Sequence, residues 1–356
     1  MDRPGGALTM VRYLLTRAGY AVAVVWLAYT FTFVAIELLP SDPITVYLSR
    51  ISEGSTVDPT LVEAMKQYYG FDRPLPLRYL NQLWLLGHGN FGYSLNAARP
   101  VTERIGEVIA PTVTLAVSAL TVALLLAASV VTVAVLATNA TVRSLTRSVP
   151  ALFSAIPTFW LGLVALQVLS FQLGVMTIFP DGSLLSQIVP AVVLGIPLSA
   201  PFTQVLLKSV DTAYQQPYVS VARAKGATER QVFFTHVVKA AAAPGLTMIG
   251  LATGTLLTGT VVTETVFSRS GVGKVLEEAV SRQDVALVQG FVLLSAVIFV
   301  TINLVVDLIY PLLDPRVTAV PRRKLAAGSA NELTIGSAVP VPAVAAVPGQ
   351  PTRSPS

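Results

Sequence analysis

Long stretches without any ionisable residue constrain this chain more than any other feature. Six such stretches hold between 19 and 35 residues each. They are bounded by Arg17 and Glu37, Glu107 and Arg143, Arg147 and Asp181, Asp181 and Lys208, Lys239 and Glu264, and Asp284 and Asp307. A helix needs roughly 20 apolar residues to cross a bilayer. The sequence therefore predicts an all-α polytopic membrane protein with six transmembrane helices.

Composition supports this fold class and excludes others. Only 12% of the 356 residues are charged and 53% are hydrophobic, whereas a soluble domain carries about 25% charged residues. The chain has too few ionisable groups to cover a water-facing surface of this size. It also lacks cysteine, which excludes disulfides, thiolate metal sites and a cysteine nucleophile.

The pattern also predicts the domain organisation. A short N-terminus (1–12) precedes a membrane domain (13–311), and a tail (312–356) follows it. We expect the tail to be disordered from about residue 325, because it is rich in proline and lacks aromatic residues. A cleaved signal peptide is the alternative for the first span, but no Ala-x-Ala site follows it. The expected spans cover 13–36, 112–137, 150–172, 187–207, 241–264 and 286–309.

Lysine and arginine predict the orientation of these spans. Fifteen of the 24 basic residues lie in the segments on the same side as both termini, and nine lie on the other side. Cytoplasmic loops carry the excess of basic residues. Both termini and the loop 208–240 are therefore expected in the cytoplasm, and the long segment 40–110 outside.

The external segment 40–110 is too long to be a simple connection. Asp58 and Pro59 predict a short helix that ends before Gly70. Two prolines at 74 and 76 predict an extended stretch, and an irregular glycine-containing loop follows. His88 has no second histidine nearby, so we interpret it as a hydrogen-bonding group and predict no metal site.

The loop 208–240 has the strongest local signals in the chain. A helix is predicted after Pro217, from Tyr218 to Lys225, and Gly226 is suited to end it. A second helix is predicted from Glu229 to Ala240 and leads into the fifth span. Two short helices at a glycine elbow form a protrusion that fits a partner's groove. We expect the small side chains of Ala222 and Ala224 to allow close approach, and Arg223 and Lys225 to meet carboxylates; a plain connecting loop is the alternative.

The fifth span combines glycine and threonine residues. Gly250 and Gly254 form a G-x-x-x-G pair, which lets two helices approach closely. One interpretation is a helix that lines a translocation path, and ordinary packing within the chain explains the spacing equally well. Glu264 and Asp307 lie at span ends, where we favour a structural role such as accepting backbone hydrogen bonds over contact with cargo. The candidate path residues are Thr253, Thr255, Thr258 and Glu264.

Sequence motifs for other functions fail on inspection. The segment 268–275 resembles a phosphate-binding loop, but Ser268 stands at the first glycine position and Val275 replaces the magnesium-binding hydroxyl. The basic residues are dispersed, so nothing supports nucleic-acid binding.

Several short motifs occur in order along the chain. They are residues 218–226, followed ten residues later by His236, and the stretches Leu39–Pro43, Gly70–Pro76, Ile156–Gly162, Thr263–Phe267 with Gly271–Gly273, and Leu313–Arg316. Together they resemble the motifs of ABC importer permeases that carry dipeptides, oligopeptides and nickel, and match the first permease of the pair; residues 218–226 resemble the cytoplasmic loop signature of that family. Two departures are Ser220-Val221-Ala222, where the wider signature has Glu-Ala-Ala, and Lys239, where it has proline.

The resemblance implies a type I importer permease fold and a set of partners. A second permease completes the pore, and two cytoplasmic ATPases bind ATP and magnesium. An extracytoplasmic binding protein delivers cargo, and this subunit has no catalytic site, cofactor or metal of its own. The implied location is the bacterial inner membrane. The residues expected to couple to the ATPases are Tyr218, Val219, Ala222, Arg223, Ala224, Lys225, Gly226, Glu229 and His236, and the structural motif residues are Asp42, Pro43, Pro157, Asp307 and Asp314.

Peptides are the expected cargo, and nickel or another small solute is the alternative within this architecture. Two more distant alternatives are an ion-gradient-driven secondary transporter and an intramembrane enzyme. The first is disfavoured because no repeat is visible and the charges lie at span ends. The second is disfavoured because neither histidine has a catalytic partner in sequence.

Overall fold

The computed structural model describes residues 5–38, 42–52, 58–177 and 179–313. Within these ranges the chain is almost entirely helical. The predictions for the tail, and for Asp314, lie outside the described residues.

The described part of the chain contains thirteen α-helices and one hairpin of two short strands, each two residues long. Strands β1 and β2 pair antiparallel, with Tyr93 opposite Pro100. A π turn continues α7 (Gln167–Gln172), and another joins α10 to α11 (Phe233–Val237). The elements are α1 Gly5–Glu37, α2 Pro43–Ile51, α3 Pro59–Tyr69, α4 Leu75–Gly87, β1 Tyr93–Ser94, β2 Arg99–Pro100, α5 Val101–Leu136, α6 Ala140–Ala155, α7 Thr158–Leu166, α8 Leu184–Tyr214, α9 Pro217–Ala224, α10 Glu229–Val232, α11 Val238–Val266, α12 Val272–Ser281 and α13 Val285–Leu313.

Four of these helices are individually long and apolar enough to cross a membrane, and two bent helix pairs bring the total to as many as six. The four are within α1, α5, α8 and α13. The first bent pair joins α6 to the stretch 158–172 at 91°, and the second joins 229–242 to 247–266 at 63°. The all-helical membrane architecture predicted from the charge-free stretches is therefore confirmed.

The third predicted span, 150–172, is not a single helix. The chain turns between α6 and α7 at Ile156, whose backbone is extended (φ −89°, ψ 118°). Pro157 follows, and a proline disfavours the helical conformation of the residue before it. Pro157 then becomes the N-cap of α7. The family-motif proline thus has a visible structural role, which is to form the corner.

The expected extended stretch at residues 74–76 is wrong. Pro74 is the N-cap of α4, and Pro76 lies within its first turn. The first turn of a helix tolerates proline, because the N–H groups there have no intrahelical partner. The structure also adds α2, which the sequence reading did not predict.

The centre of the bundle is the contact between α5 and α8. Alanines at 119, 123 and 127 lie on one stripe of α5 and are almost fully buried. They pack against Leu194, Leu198 and Phe202 of α8 in one core cluster. Small side chains let transmembrane helices approach closely. Gly195 shows how close this approach is, because a Cβ there would lie 2.7 Å from Val122.

Candidate functional site: the elbow between α8 and α11

Residues 215–240 fold into two short helical arms, which we call the elbow segment. Helix α9 begins at Pro217, whose fixed φ suits the first helical position. Gly226 follows the helix with φ +86°. Its N–H donates to the carbonyl of Arg223 at 2.9 Å, and the next N–H donates to the carbonyl of Ala222 at 3.1 Å. This is a Schellman motif, whose left-handed position favours glycine.

A capping box starts the second arm. The Gln231 N–H donates to Thr228 Oγ1 at 3.3 Å, and the Thr228 N–H donates to Gln231 Oε1 at 2.9 Å. Helix α10 then passes through the π turn into the start of α11. The predicted helix from Glu229 to Ala240 is therefore present with one wider turn, but the path bends by 63° between residues 242 and 247, so the predicted span 241–264 is not one straight helix.

An ion pair joins the two arms. Arg223 Nε donates to Glu229 Oε1 at 2.7 Å, and Arg223 Nη2 donates to Oε2 at 3.0 Å. The guanidinium also lies 5.7 Å from the ring centre of Tyr214. The hydrogen bonds to Glu229 raise the pKa of Arg223. The expectation that Arg223 meets a carboxylate thus holds within this chain, where its partner is Glu229, and contact with a carboxylate of a partner stays a prediction.

The inner side of the elbow is an apolar core. Val219 is 1% exposed and Ala222 is 9% exposed. Both pack in one cluster with Val232, Phe233 and other residues of α5, α8, the second arm and α11. The prediction that Ala222 gives close approach to a partner is wrong, because its methyl group faces this chain's own core. Val219 and Ala222 hold the elbow in place from beneath.

The outer side of the elbow carries the residues that are free to meet a partner. Tyr218 is 39% exposed and Val221 is 53% exposed, and Ala224 and Lys225 are exposed as well. Positions 218, 221 and 225 share one face of a helix. The Tyr218 ring stacks on the exposed His236 ring at 6.3 Å between centres. Val221 was not among the predicted residues, although its helical spacing from Tyr218 signals the same face.

The predicted path residues on α11 divide into two groups. Gly250 faces Asn303 and Val306 of α13, and Gly254 faces Phe299 of the same helix. The glycine pair therefore serves packing within the chain, and the interpretation of α11 as a helix that lines a path stays a prediction.

The threonines of α11 face different surroundings. Thr253 is 4% exposed and donates to the Ile249 carbonyl at 3.2 Å. Thr255 and Thr258 are exposed on the face that also carries Leu251. Thr255 and Thr258 thus stay candidates for a path, whereas Thr253 belongs to the interior of this chain.

Glu264 is completely buried at the far end of α11. Its carboxylate accepts hydrogen bonds from Thr112 Oγ1 at 2.6 Å and from the Gly273 N–H at 2.7 Å. Thr112 Oγ1 in turn accepts from the Val272 N–H at 2.8 Å. Gly271 is essential to this packing, because a Cβ there would collide with the carboxylate. Glu264 thus caps the N-terminus of α12, as the favoured structural interpretation expected.

Asp284 was not predicted, yet it anchors the external segment to the bundle. It lies directly before α13 and is 3% exposed. Its Oδ2 accepts from Ser94 Oγ at 2.6 Å and from the Asn96 N–H at 3.1 Å, and its Oδ1 accepts from the Leu287 N–H at 3.2 Å. Ser94 and Asp284 are 190 positions apart in sequence, so no local pattern could have paired them.

The remaining motif residues have local roles. Asp42 caps α2, accepting from the Ile44 N–H at 3.1 Å, and Pro43 is the first helical residue. Burial opposes ionisation of Asp42, but hydrogen bonds from Lys66 and Ile44 outweigh it and hold its pKa below the ordinary value. Asp307 lies within α13.

His88 makes a hydrogen bond, as the sequence reading interpreted it. Its Nδ1 lies 2.8 Å from the Trp84 carbonyl. Among the described residues, no group of three or more His, Cys, Asp or Glu side chains could hold a metal ion.

Comparison with known proteins decides the family. Residues 119–319 match the family described as binding-protein-dependent transport system inner membrane component. The chain belongs to this family of importer permeases. The matched residues include α8, the elbow segment and α11.

Curated relatives of this permease extend the match over more of the chain. The glutathione transport system permease protein GsiC of Pectobacterium atrosepticum is 30% identical over 86% of this chain and 99% of its own length. The protein of the same name from Escherichia coli strain K12 is 29% identical over the same shares. These matches confirm the resemblance to ABC importer permeases of the peptide and nickel group and the type I permease fold. The permease is thus a multi-pass membrane protein and a transporter subunit, and its family implies ATPase and binding-protein partners.

Proposed function

We propose that this permease forms half of the pore of an ATP-driven importer of short peptides. In this proposal the elbow segment docks on a cytoplasmic ATPase and transmits its motion to the spans. Both termini face the cytoplasm, as the basic residues predict. The observation that carries the proposal is the construction of the elbow, which is braced internally and leaves one face free.

The bracing makes the elbow suitable as a lever. A segment that transmits motion must move as one body, because a flexible loop would absorb the displacement. Three independent features fix the elbow: the Schellman turn at Gly226, the bidentate pair between Arg223 and Glu229, and the core around Val219. The second arm continues into α11. A push on α9 is therefore passed through the second arm to the start of α11, and the spans are the element with two arrangements.

The free face of the elbow combines apolar and charged side chains, so it fits a groove that is partly apolar and partly polar. Tyr218 and Val221 offer apolar area, and Lys225 adds a positive charge. Aromatic anchors surrounded by other contacts carry much of the energy of protein interfaces. We infer that Tyr218 enters the ATPase groove and that His236 supports its ring from behind, because the two rings stack.

The relatives support a peptide cargo. Both relatives named above are called glutathione permeases, and glutathione is a tripeptide. Nickel is the alternative cargo within the same architecture.

Reconstitution tests the proposal. The chain is placed in liposomes with its partner permease, ATPases and binding protein, and uptake of labelled tripeptide is followed. We expect uptake only with ATP and with all partners present. If this chain alone carried out uptake driven by an ion gradient, the proposal would be overturned. If nickel but not peptides competed for uptake, the cargo would be reassigned.

A matched pair of variants tests the elbow. Arg223→Glu places two acids against each other and should lower uptake several-fold while ATP hydrolysis continues. The exchange Arg223→Glu with Glu229→Arg restores the pair and should restore most of the uptake. If the double variant stays as defective as the single one, the internal brace is not what Arg223 contributes.

A further inference from the structure

The external segment and the α12–α13 junction line a partly open cavity of about 280 Å³. Its walls come from the end of α3, one side of α4, the hairpin region and the first turn of α13. The cavity is separated from the elbow segment by the length of α11. Nothing in the proposed lever uses it.

Three polar side chains line this cavity, two of them exposed and one half-buried. They are Arg73, Asn81 and Gln289, one each from the α3–α4 turn, α4 and α13. Within the described residues the Arg73 guanidinium makes no ion pair or hydrogen bond, and the two amides make no side-chain hydrogen bond. The other cation of the cavity, Arg78, is already bound to Glu37 by two hydrogen bonds, at 3.3 and 3.0 Å.

Aromatic rings supply the apolar part of the same walls. Tyr69, Phe71, Phe91 and Tyr93 all line the cavity. The Asp284 carboxylate is also at the wall, but its oxygens accept from the hairpin region and α13. Apolar walls with a few convergent polar groups are typical of sites for small molecules.

We propose that this cavity binds the carboxyl end of a short peptide. Arg73 pairs with the terminal carboxylate, Asn81 and Gln289 hydrogen-bond the adjacent peptide groups, and the aromatic rings contact a side chain. The volume lies near the lower end of the range of ligand pockets, about 300 to 1,000 Å³, so it suits one end of a peptide rather than a long chain. The proposal rests on the proposed peptide import and adds a contact site outside the spans.

Photo-crosslinking tests this site directly. The assembled importer, without binding protein, carries the photoreactive p-benzoylphenylalanine in place of Tyr93, which lines the cavity. A matched control carries it in place of Trp84, which is 68% exposed on the same external segment and does not line the cavity. The probe is a radiolabelled alanine tripeptide. We expect labelling at position 93 that excess unlabelled tripeptide removes, and none at position 84.

The carboxylate contact has its own test. Arg73→Gln should raise the tripeptide concentration for half-maximal labelling about tenfold, the loss expected for one charged hydrogen bond. The C-terminally amidated tripeptide lacks the charge, so it should label the Arg73→Gln and parent proteins at the same concentration. ATP hydrolysis by each variant shows that it is assembled.

Equal labelling at positions 93 and 84, or half-maximal labelling unchanged by Arg73→Gln, would overturn the site. In a second preparation that includes the binding protein, crosslinking of position 93 to that protein with no peptide labelling would also overturn the site, because the cavity then receives a protein loop. If the importer carries the tripeptide in liposomes and position 93 is not labelled, this site fails and peptide import stands. If no ATP-driven peptide uptake occurs, the proposed function itself fails.

Discussion

The elbow segment and the external segment both connect spans, but different interactions hold them. Within the elbow, the turn, the capping box and the ion pair join residues no more than six positions apart. The external segment is anchored by contacts of far greater separation. Tyr79 of α4 packs on Tyr29 and Phe33 of α1, and Ser94 bonds Asp284.

This difference predicts different consequences of mutation. Breaking the anchor of the external segment removes buried hydrogen bonds, and these are costly to lose. Breaking the Arg223–Glu229 pair or the turn at Gly226 removes exposed interactions, which contribute little to stability but control the shape of the protruding face. We therefore expect the anchor variants to lower stability and the elbow variants to uncouple transport.

The largest stability effect is expected for Asp284→Ala. It leaves Ser94, the Asn96 N–H and the Leu287 N–H without their acceptor, and should lower the free energy of unfolding by about 2–4 kcal/mol. Thermal unfolding in detergent measures this. Asp181→Ala is the control: hydrogen bonds from the nearby Ser183 lower the pKa of Asp181 to about 2, but the group is exposed. An equal fall in Tm for Asp284→Ala and Asp181→Ala would show that the buried hydrogen bonds of Asp284 do not give the external segment its extra stability.

The next effect is expected in transport rather than stability. Gly226→Pro imposes φ near −65° where the structure has +86°, so the elbow must rearrange, and uptake should fall at least about tenfold, the factor that corresponds to roughly 1.4 kcal/mol. Gly226→Asn is the control, because asparagine tolerates the left-handed region, and it should keep most of the uptake. Normal uptake by Gly226→Pro would show that the elbow shape is not required.

The smallest effect is expected on the stability of Arg223→Glu. The Arg223–Glu229 pair is exposed and screened by solvent, so the Tm should hardly change although uptake falls. Measuring Tm and uptake on the same preparation separates the two. A fall in Tm as large as that of Asp284→Ala would mean that the elbow and the anchor are held in the same way.

Much of the elbow could be predicted because its signals are local. Pro217, Gly226 and Glu229 mark a helix start, a left-handed cap and a second helix, and the structure has all three. The direction in which each side chain points could not be predicted as well. Arg223 is paired within the chain and Ala222 is buried. Local signals could not predict the burial of Ala222, because it depends on the packing of α5 and α8 beneath the elbow.

The external segment shows where prediction from local signals ends. The helix Pro59–Tyr69 followed from Asp58 and Gly70, and the structure confirms it. The helix after Pro74 was missed, because proline was interpreted as a helix breaker although the first turn accepts it. The bend at Pro157 was missed because a long apolar stretch indicates crossing length without indicating direction.

The sequence by itself determined that this chain is a helical membrane protein, where its apolar stretches lie, and which segment forms an elbow. These features follow from hydropathy and from hydrogen bonds between near neighbours. Only the tertiary structure decided that Asp284 and Glu264 are buried anchors, that Gly250 and Gly254 face α13, and that Arg73, Asn81 and Gln289 line one cavity. The physical reason is that such groupings require distant parts of the chain to meet, and a single sequence records no distance between them.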